Sequence, residues 1–181
     1  MIRETQVLLL ARLTTEKPNY ENAAFRSYHP ILAVDIYCQA VLHPPHTAST
    51  LTEMADTLLD HMTLYVTDIA KSRAFYDAIL SVLNYKVVAS FLNDTYVCYA
   101  PDTKPALGFA IASAPDKSPG AVHLAFSCPS SDAVAQLYAV ALQNGGKDNG
   151  EPGLREAYAS NYFAAFVCDP DGNNIEAMCR V

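Results

Sequence analysis

Length, composition and charge exclude several classes of protein. The chain has 181 residues, and it is 51% hydrophobic and 17% charged. Such a chain can bury a substantial core and is not disordered over most of its length. No apolar run approaches the roughly 20 residues that a membrane-spanning helix needs, so no membrane is expected. The net charge of −7 opposes binding to phosphate groups, so a nucleic acid is not an expected partner either.

Residues 1–57 form a predicted N-terminal extension that is disordered or only weakly structured. They show no sustained helix or strand periodicity, and they contain breaks such as His43-Pro44-Pro45-His46. One interpretation is that the natural start is Met54, and the domain proper is expected to span residues 58–181. The extension also contains a weak candidate for a metal site, formed by His29, His43 and His46.

The pattern becomes regular from Leu58 onward. Residues 61–67 alternate between apolar and polar side chains, which predicts a half-buried strand. A helix is predicted over residues 68–85, with Asp68 as its N-cap, because apolar residues recur along one face. Three strands are then predicted at residues 86–92, 95–100 and 106–112.

The same order begins again after a linker that contains proline and glycine. Residues 122–128 predict a strand, and the next helix is predicted to start at an N-cap formed by Ser130 or Ser131. Gly145 stands where a left-handed residue ends a helix. A Gly-rich loop is predicted next, followed by strands at residues 162–168 and 174–180 and a turn between them.

The two halves are an internal repeat. An offset of 62 residues carries His61 onto His123 and Tyr76 onto Tyr138. The turns at Pro101-Asp102 and Pro170-Asp171 are taken as equivalent. The predicted fold is α+β, with two paired βαβββ modules at residues 58–119 and 120–181 that form a curved mixed sheet with a cleft and with the helices outside.

Two histidines and one glutamate are the candidate metal ligands. His61 and His123 begin equivalent strands, on the face opposite to the apolar residues, and Glu176 lies in the last strand. Two imidazoles and one carboxylate form a facial set that leaves positions open on a divalent ion. Each residue alone is more often structural or exposed, so the equivalence of the two histidines in the repeat is what favours a site.

Three segments carry a resemblance to a known family: SRAFYDAIL with NYKVVAS after it, GGKDNGEPGLR, and NYFAAFVCDPDGNNIEAMC. From Leu58 to Val181 the chain resembles the vicinal oxygen chelate superfamily, which includes glyoxalase I, extradiol dioxygenases, fosfomycin-resistance enzymes and bleomycin-binding proteins. The resemblance implies paired βαβββ modules and matches His61, His123 and Glu176 to the family's metal-ligand positions. It also implies a homodimer, since related proteins often build the site across an interface.

Two departures narrow the resemblance. When the two Pro-Asp turns are aligned, Leu107 takes the place of Glu176 in the first module. Leucine cannot serve as the fourth ligand of glyoxalase I-like enzymes, so that activity is disfavoured unless water replaces the ligand. Relatives with a segment like GGKDNGEPGLR are also expected to carry histidines just after it, whereas residues 154–163 contain none.

Six side chains are candidates for contacts with a substrate. Three share a strand face with one of the two histidines, two are tyrosines in or next to the Gly-rich loop, and one arginine is suited to hold an anionic group. They are Thr63, Tyr65, Ser127, Tyr158, Tyr162 and Arg155. For each of them, ordinary packing or surface placement is an equally good interpretation.

The leading functional interpretation is a metal-dependent enzyme that acts on a small organic molecule with vicinal oxygens. A divalent ion (Fe, Mn, Zn, Ni or Mg) would bind those oxygens, with Glu176 as the catalytic residue beside them. Lyase, isomerase, dioxygenase and thiol-transferase chemistry stay open. The alternative is a non-catalytic protein of the bleomycin-resistance type, which binds or sequesters a small molecule.

The cysteines and the N-terminus predict a cytoplasmic location. The chain has five cysteines, an odd number, and no two of them have the C-x-x-C spacing, so neither a disulfide framework nor a thiolate zinc site is expected. The apolar run at residues 7–11 is too short for the core of a secretory signal.

Overall fold

The elements follow the repeated order that the sequence predicts. The computed structural model describes residue 59 and residues 61–101, 108–116 and 122–181. The first module contains β1 (His61–Val66), α1 (Ile69–Val82), β2 (Tyr85–Phe91), β3 (Tyr96–Pro101) and β4 (Gly108–Ser113). The second contains β5 (His123–Ser127), α2 (Ser131–Gln143), β6 (Lys147–Leu154), β7 (Tyr162–Cys168) and β8 (Asn174–Arg180).

Several residues named in the predictions lie outside these ranges. The predicted extension at residues 1–57, its three histidines and Leu107 are not among the described residues. The domain boundaries therefore stay predictions. Within the ranges that are described, no helix is long and apolar enough to cross a membrane.

Each module folds its strands into one mixed sheet. The strand orders are β1-β4-β3-β2 and β5-β8-β7-β6. In each sheet the first strand runs parallel to the last, and the other neighbours are antiparallel. The two-module βαβββ architecture is confirmed, and it places the two histidines at the starts of equivalent edge strands.

Both helices begin where the sequence predicts, because a side chain caps each of them. The carboxylate of Asp68 accepts a hydrogen bond from the backbone N–H of Lys71, and the hydroxyl of Ser130 accepts one from Ala133. Gly145 follows the end of α2 with φ of +93°, a left-handed conformation that glycine adopts without strain. One face of each helix packs into the shared core, which includes Phe75, Ile79, Leu80, Val134, Leu137 and Ala141.

A turn between β7 and β8 ties the second module to the first. The carboxylate of Asp169 is buried and accepts hydrogen bonds from the Tyr76 hydroxyl of α1 at 2.7 Å, from the Asn173 amide at 2.9 Å and from two backbone N–H groups of the turn. The carboxylate of Asp171 accepts from the backbone N–H of Thr67 at 2.9 Å and from its hydroxyl. The aspartates of the DPDGN segment therefore hold the modules together.

One strand differs from the prediction. The stretch that the sequence predicts as a Gly-rich loop contains β6, an edge strand whose pairing with β7 is irregular around Gly150 and Gly153. Three of its eight residues are glycine or proline, and no apolar alternation marks it as a strand. Edge strands tolerate such residues because one side of the strand needs no hydrogen-bonding partner.

The alignment through the two Pro-Asp turns was wrong. The modules correspond at an offset of 62 residues as far as β2 and β6, but at 66 residues in β4 and β8, because the second module has a longer connection before β7. The strand register pairs Thr63 with Ala110 and Ala125 with Glu176, so Ala110, and not Leu107, corresponds to Glu176. Neither alanine nor leucine can coordinate a metal, so the inference that this position supplies no ligand is unchanged.

Candidate active site

His123 and Glu176 lie together on the face of the second sheet that points away from α2. Nε2 of His123 is 3.1 Å from Oε2 of Glu176. The alternation of β8 explains the placement, because Ile175 and Ala177 are in the core and Glu176 points to the opposite face. The Glu176 side chain is 4% exposed and that of His123 is 54% exposed, so the pair has one buried member and one that is accessible from outside.

Neighbouring side chains hold both members of the pair. The hydroxyl of Tyr162 donates to Oε1 of Glu176 at 2.7 Å. The amide nitrogen of Asn174 lies 2.7 Å from Nδ1 of His123, and Asn149 donates to the amide oxygen of Asn174 at 2.9 Å. With Asn174 as the donor, Nδ1 of His123 is the acceptor, and the ring proton lies on Nε2, facing Glu176.

The contact with Glu176 keeps Tyr162 protonated. The hydrogen bond to this carboxylate, followed by partial desolvation and the carboxylate charge, raises the pKa of Tyr162 to about 12. The guanidinium carbon of Arg180 lies 4.8 Å from the centre of the tyrosine ring. At neutral pH Tyr162 therefore donates a hydrogen bond to Glu176 and leaves Oε2 as the oxygen that faces His123.

Replacing Glu176 with glutamine should lower the pKa of Tyr162 from about 12 toward its ordinary value of 10.0. The amide still accepts a hydrogen bond but carries no negative charge, so it stabilises the neutral phenol less than the carboxylate does. A pH titration of metal-free protein with labelled tyrosine, followed by NMR, measures this. Glu151→Gln is the control and should leave the pKa unchanged; an unchanged pKa in Glu176→Gln contradicts the assignment.

A cleft of about 690 Å³ lies beside the pair. Its walls come from β6, from the connection after it, and from β7 and β8, and they include Asn149, Gly150, Arg155, Tyr158, Phe166 and Asn174. The ring of Phe166 stacks with the imidazole of His123, with 6.4 Å between the ring centres and 26° between the planes. A molecule in the cleft therefore lies next to the His123–Glu176 pair.

Two of the predicted substrate residues line this cleft and a third lies beside it. Arg155 and Tyr158 are in the lining, and the rings of Tyr158 and Tyr162 meet edge to face with 5.4 Å between their centres. The other three predicted residues do not line the cleft: Thr63 bonds the hydroxyl of Tyr96 at 2.8 Å, Tyr65 is half-buried in β1, and Ser127 is exposed at the end of β5.

Three residues of the site were missed by the sequence analysis: Asn149, Phe166 and Asn174. Asn174 shares the strand face of Glu176 by simple alternation, so the sequence was sufficient to predict its position. Phe166 is paired with Glu176 across two antiparallel strands, a register that the sequence does not contain. Asn149 lies in β6, which the sequence analysis treats as a loop.

The His123–Glu176 pair fits two neighbouring positions of a divalent ion. Ligand distances of about 2.0–2.2 Å place adjacent donors about 3 Å apart, and Nε2 and Oε2 are separated by 3.1 Å. Among residues 61–101, 108–116 and 122–181, no three His, Cys, Asp or Glu side chains lie close enough together to hold a metal ion. The structure thus brings His123 and Glu176 together within one chain, without His61.

Comparisons with known proteins agree with this architecture. A model of the Glyoxalase/Bleomycin resistance protein/Dioxygenase superfamily matches residues 58–177. A glyoxalase/bleomycin resistance protein from Albidiferax ferrireducens T118 is 29% identical, with a TM-score of 0.56 and coverage of 68% of this chain and 100% of that one. No curated protein matches the sequence.

Two further solved structures show the same fold at lower identity. A glyoxalase-related enzyme from Fulvimarina pelagi is 21% identical, with a TM-score of 0.52 and coverage of 66% of this chain and 86% of that one. A glyoxalase/bleomycin resistance protein/dioxygenase family enzyme from Burkholderia phytofirmans PsJN is 16% identical, with a TM-score of 0.54 and coverage of 67% and 98%.

Proposed function

Because the chain belongs to the glyoxalase/bleomycin resistance protein/dioxygenase superfamily, we propose that it is a divalent-metal enzyme that acts on a small organic molecule with vicinal oxygens. The observation that carries the proposal is the His123–Glu176 pair, which stands beside a cleft with its two donor atoms 3.1 Å apart. The ion is one of Fe, Mn, Zn, Ni or Mg, and the reaction is of the lyase, isomerase or dioxygenase type.

The residues around the pair have separable roles in this proposal. Nε2 of His123 and Oε2 of Glu176 would hold the ion, and a bound ion would supply a Lewis acid for negative charge on substrate oxygens. The hydroxyl of Tyr162 donates a hydrogen bond to Oε1 of Glu176, so Oε2 is the atom of this carboxylate that serves as a ligand. With the ion on Nε2, Nδ1 of His123 would carry the ring proton, and Asn174 would turn its amide oxygen toward Nδ1 to accept it and so fix the orientation of the imidazole.

We place the third ligand, His61, on a second copy of the chain, so that the active form is a homodimer. Two observations support this: the described residues of one chain supply only a two-donor set at this site, and the His123 side chain is accessible from outside. A two-fold dimer would give each copy one complete site. The free thiols of Cys128, Cys168 and Cys179 suit the cytoplasmic location that the sequence predicts.

The metal content of the wild-type chain tests the proposal. After dialysis against divalent ions and removal of the excess, elemental analysis should find about one ion per chain. His123→Ala should lose this ion, whereas Glu151→Gln, which removes a carboxylate of the cleft outside the pair, should keep it. Less than about 0.1 ion per wild-type chain contradicts the proposal and favours the alternative, a protein that binds or sequesters a small molecule without a metal.

A further inference from the structure

Arg155 is a cation in the cleft of a protein whose net charge is −7. Among the described residues, no Asp or Glu side chain forms an ion pair with it. Its guanidinium donates instead to the main-chain carbonyl of Glu151, and its central carbon lies 5.4 Å from the centre of the Phe166 ring. An arginine has five N–H donors, so most of them stay available to a ligand.

The local backbone holds the guanidinium in this position. The backbone N–H of Arg155 donates to the carbonyl of Tyr162 at 2.7 Å. Gly150 has φ of +151°, and a Cβ at this residue would come within 3.1 Å of the Phe166 ring and 3.4 Å of Nη2 of Arg155. The glycine therefore leaves the space in which the guanidinium lies over the ring, and the arginine is preorganised before a ligand arrives.

Phe166 connects the arginine to the His123–Glu176 pair. The same ring that lies under Arg155 stacks with the imidazole of His123. The acidic residue of the lining, Glu151, is exposed and contacts Arg155 through its main-chain carbonyl. A ligand in the cleft therefore meets a cation and an aromatic ring, and it lies beside the candidate metal ligands through Phe166 and Asn174.

We propose that the cleft binds a small organic carboxylate, held by Arg155, whose neighbouring oxygen lies toward His123 and Glu176. The planar guanidinium pairs with a carboxylate through two parallel N–H···O hydrogen bonds, and Phe166 favours a ligand with a flat apolar part. The direction of the neighbouring oxygen rests on the proposed function. The recognition of the carboxylate by Arg155 does not, because it needs no metal.

The test uses mandelate, an aromatic 2-hydroxy acid, and mandelamide, its neutral analogue, as probes of the metal-free full chain. NMR titration should show that the wild type binds mandelate about tenfold or more tightly than mandelamide, as a charge-assisted pair predicts. Arg155→Gln should remove this preference, and Arg155→Lys should retain part of it. Arg73→Gln is the control: it removes a cation of α1 that is not part of the lining of the cleft, and it should bind mandelate like the wild type.

Equal binding of the two probes to the wild type overturns the proposal, as does undiminished mandelate binding by Arg155→Gln. If Arg155→Gln fails to fold, the preference of the wild type for mandelate over mandelamide and the result for Arg155→Lys still test the proposal. Failure here is distinguishable from failure of the proposed function: a wild type that holds metal but does not prefer mandelate refutes only the carboxylate site, whereas one that prefers mandelate but holds no metal refutes only the metal enzyme.

Discussion

Purified heterodimers of His61→Ala and Glu176→Gln should regain about half of the wild-type metal content, although each variant alone should bind metal about a hundredfold or more weakly. If the site combines His61 of one copy with His123 and Glu176 of the other, one of the two sites in the heterodimer is intact. It receives His61 from the Glu176→Gln chain and the other two ligands from the His61→Ala chain. The second site lacks both altered ligands.

Co-expression with two different affinity tags isolates the heterodimer, and elemental analysis with a competitive metal titration gives its stoichiometry and affinity. The control is a heterodimer of His123→Ala and Glu176→Gln. Both changes affect ligands that one copy supplies to the proposed site. Each of the two sites in this control heterodimer therefore lacks one ligand, and the heterodimer should bind no metal. Metal in the control, or its absence from the first heterodimer, rules out the site between two copies.

The sequence predicts the elements of this fold well where the signals are local. Asp68 and Ser130 each precede the apolar stripe of a helix and cap that helix, as the sequence predicts. The alternation of β8 separates Glu176 from the core residues beside it. The sequence does not predict β6 as a strand, because its glycines and proline are typical of a loop. The correspondence of the modules is not predicted correctly either: Pro101 ends β3 and Pro170 lies beyond β7, so two similar turns occupy different places in the sheets.

The sequence predicts only part of the candidate site. The repeat and the strand alternation predict that His123 and Glu176 share a face, and the structure places them together. The hydrogen bond from Tyr162 to Glu176 and the stacking of Phe166 on His123 depend on the register between strands, which local patterns do not contain. The role of His61 as a ligand depends on assembly, and so it remains a prediction.

Replacing Asp169 with alanine should lower the free energy of unfolding by about 3–5 kcal/mol. This carboxylate is 2% exposed and receives four hydrogen bonds. Its loss leaves the Tyr76 hydroxyl, which is fully buried, without an acceptor, and buried polar groups without partners are costly. Urea denaturation followed by circular dichroism measures the change. Asp116→Ala, at an exposed site, should change the free energy of unfolding by less than about 0.5 kcal/mol.

The internal repeat supplies a sharper control for the contact between the modules. Tyr76 and Tyr138 are equivalent tyrosines that each donate to an aspartate, but only Tyr76 is buried and bonds the other module. Tyr76→Phe should therefore cost about 1.5–3 kcal/mol and Tyr138→Phe less than about 0.5 kcal/mol. Because Tyr76 and Asp169 share one hydrogen bond, the double variant should be no less stable than Asp169→Ala alone. Additive losses would show that the two residues stabilise the fold independently, and that the turn does not hold the modules together through this bond.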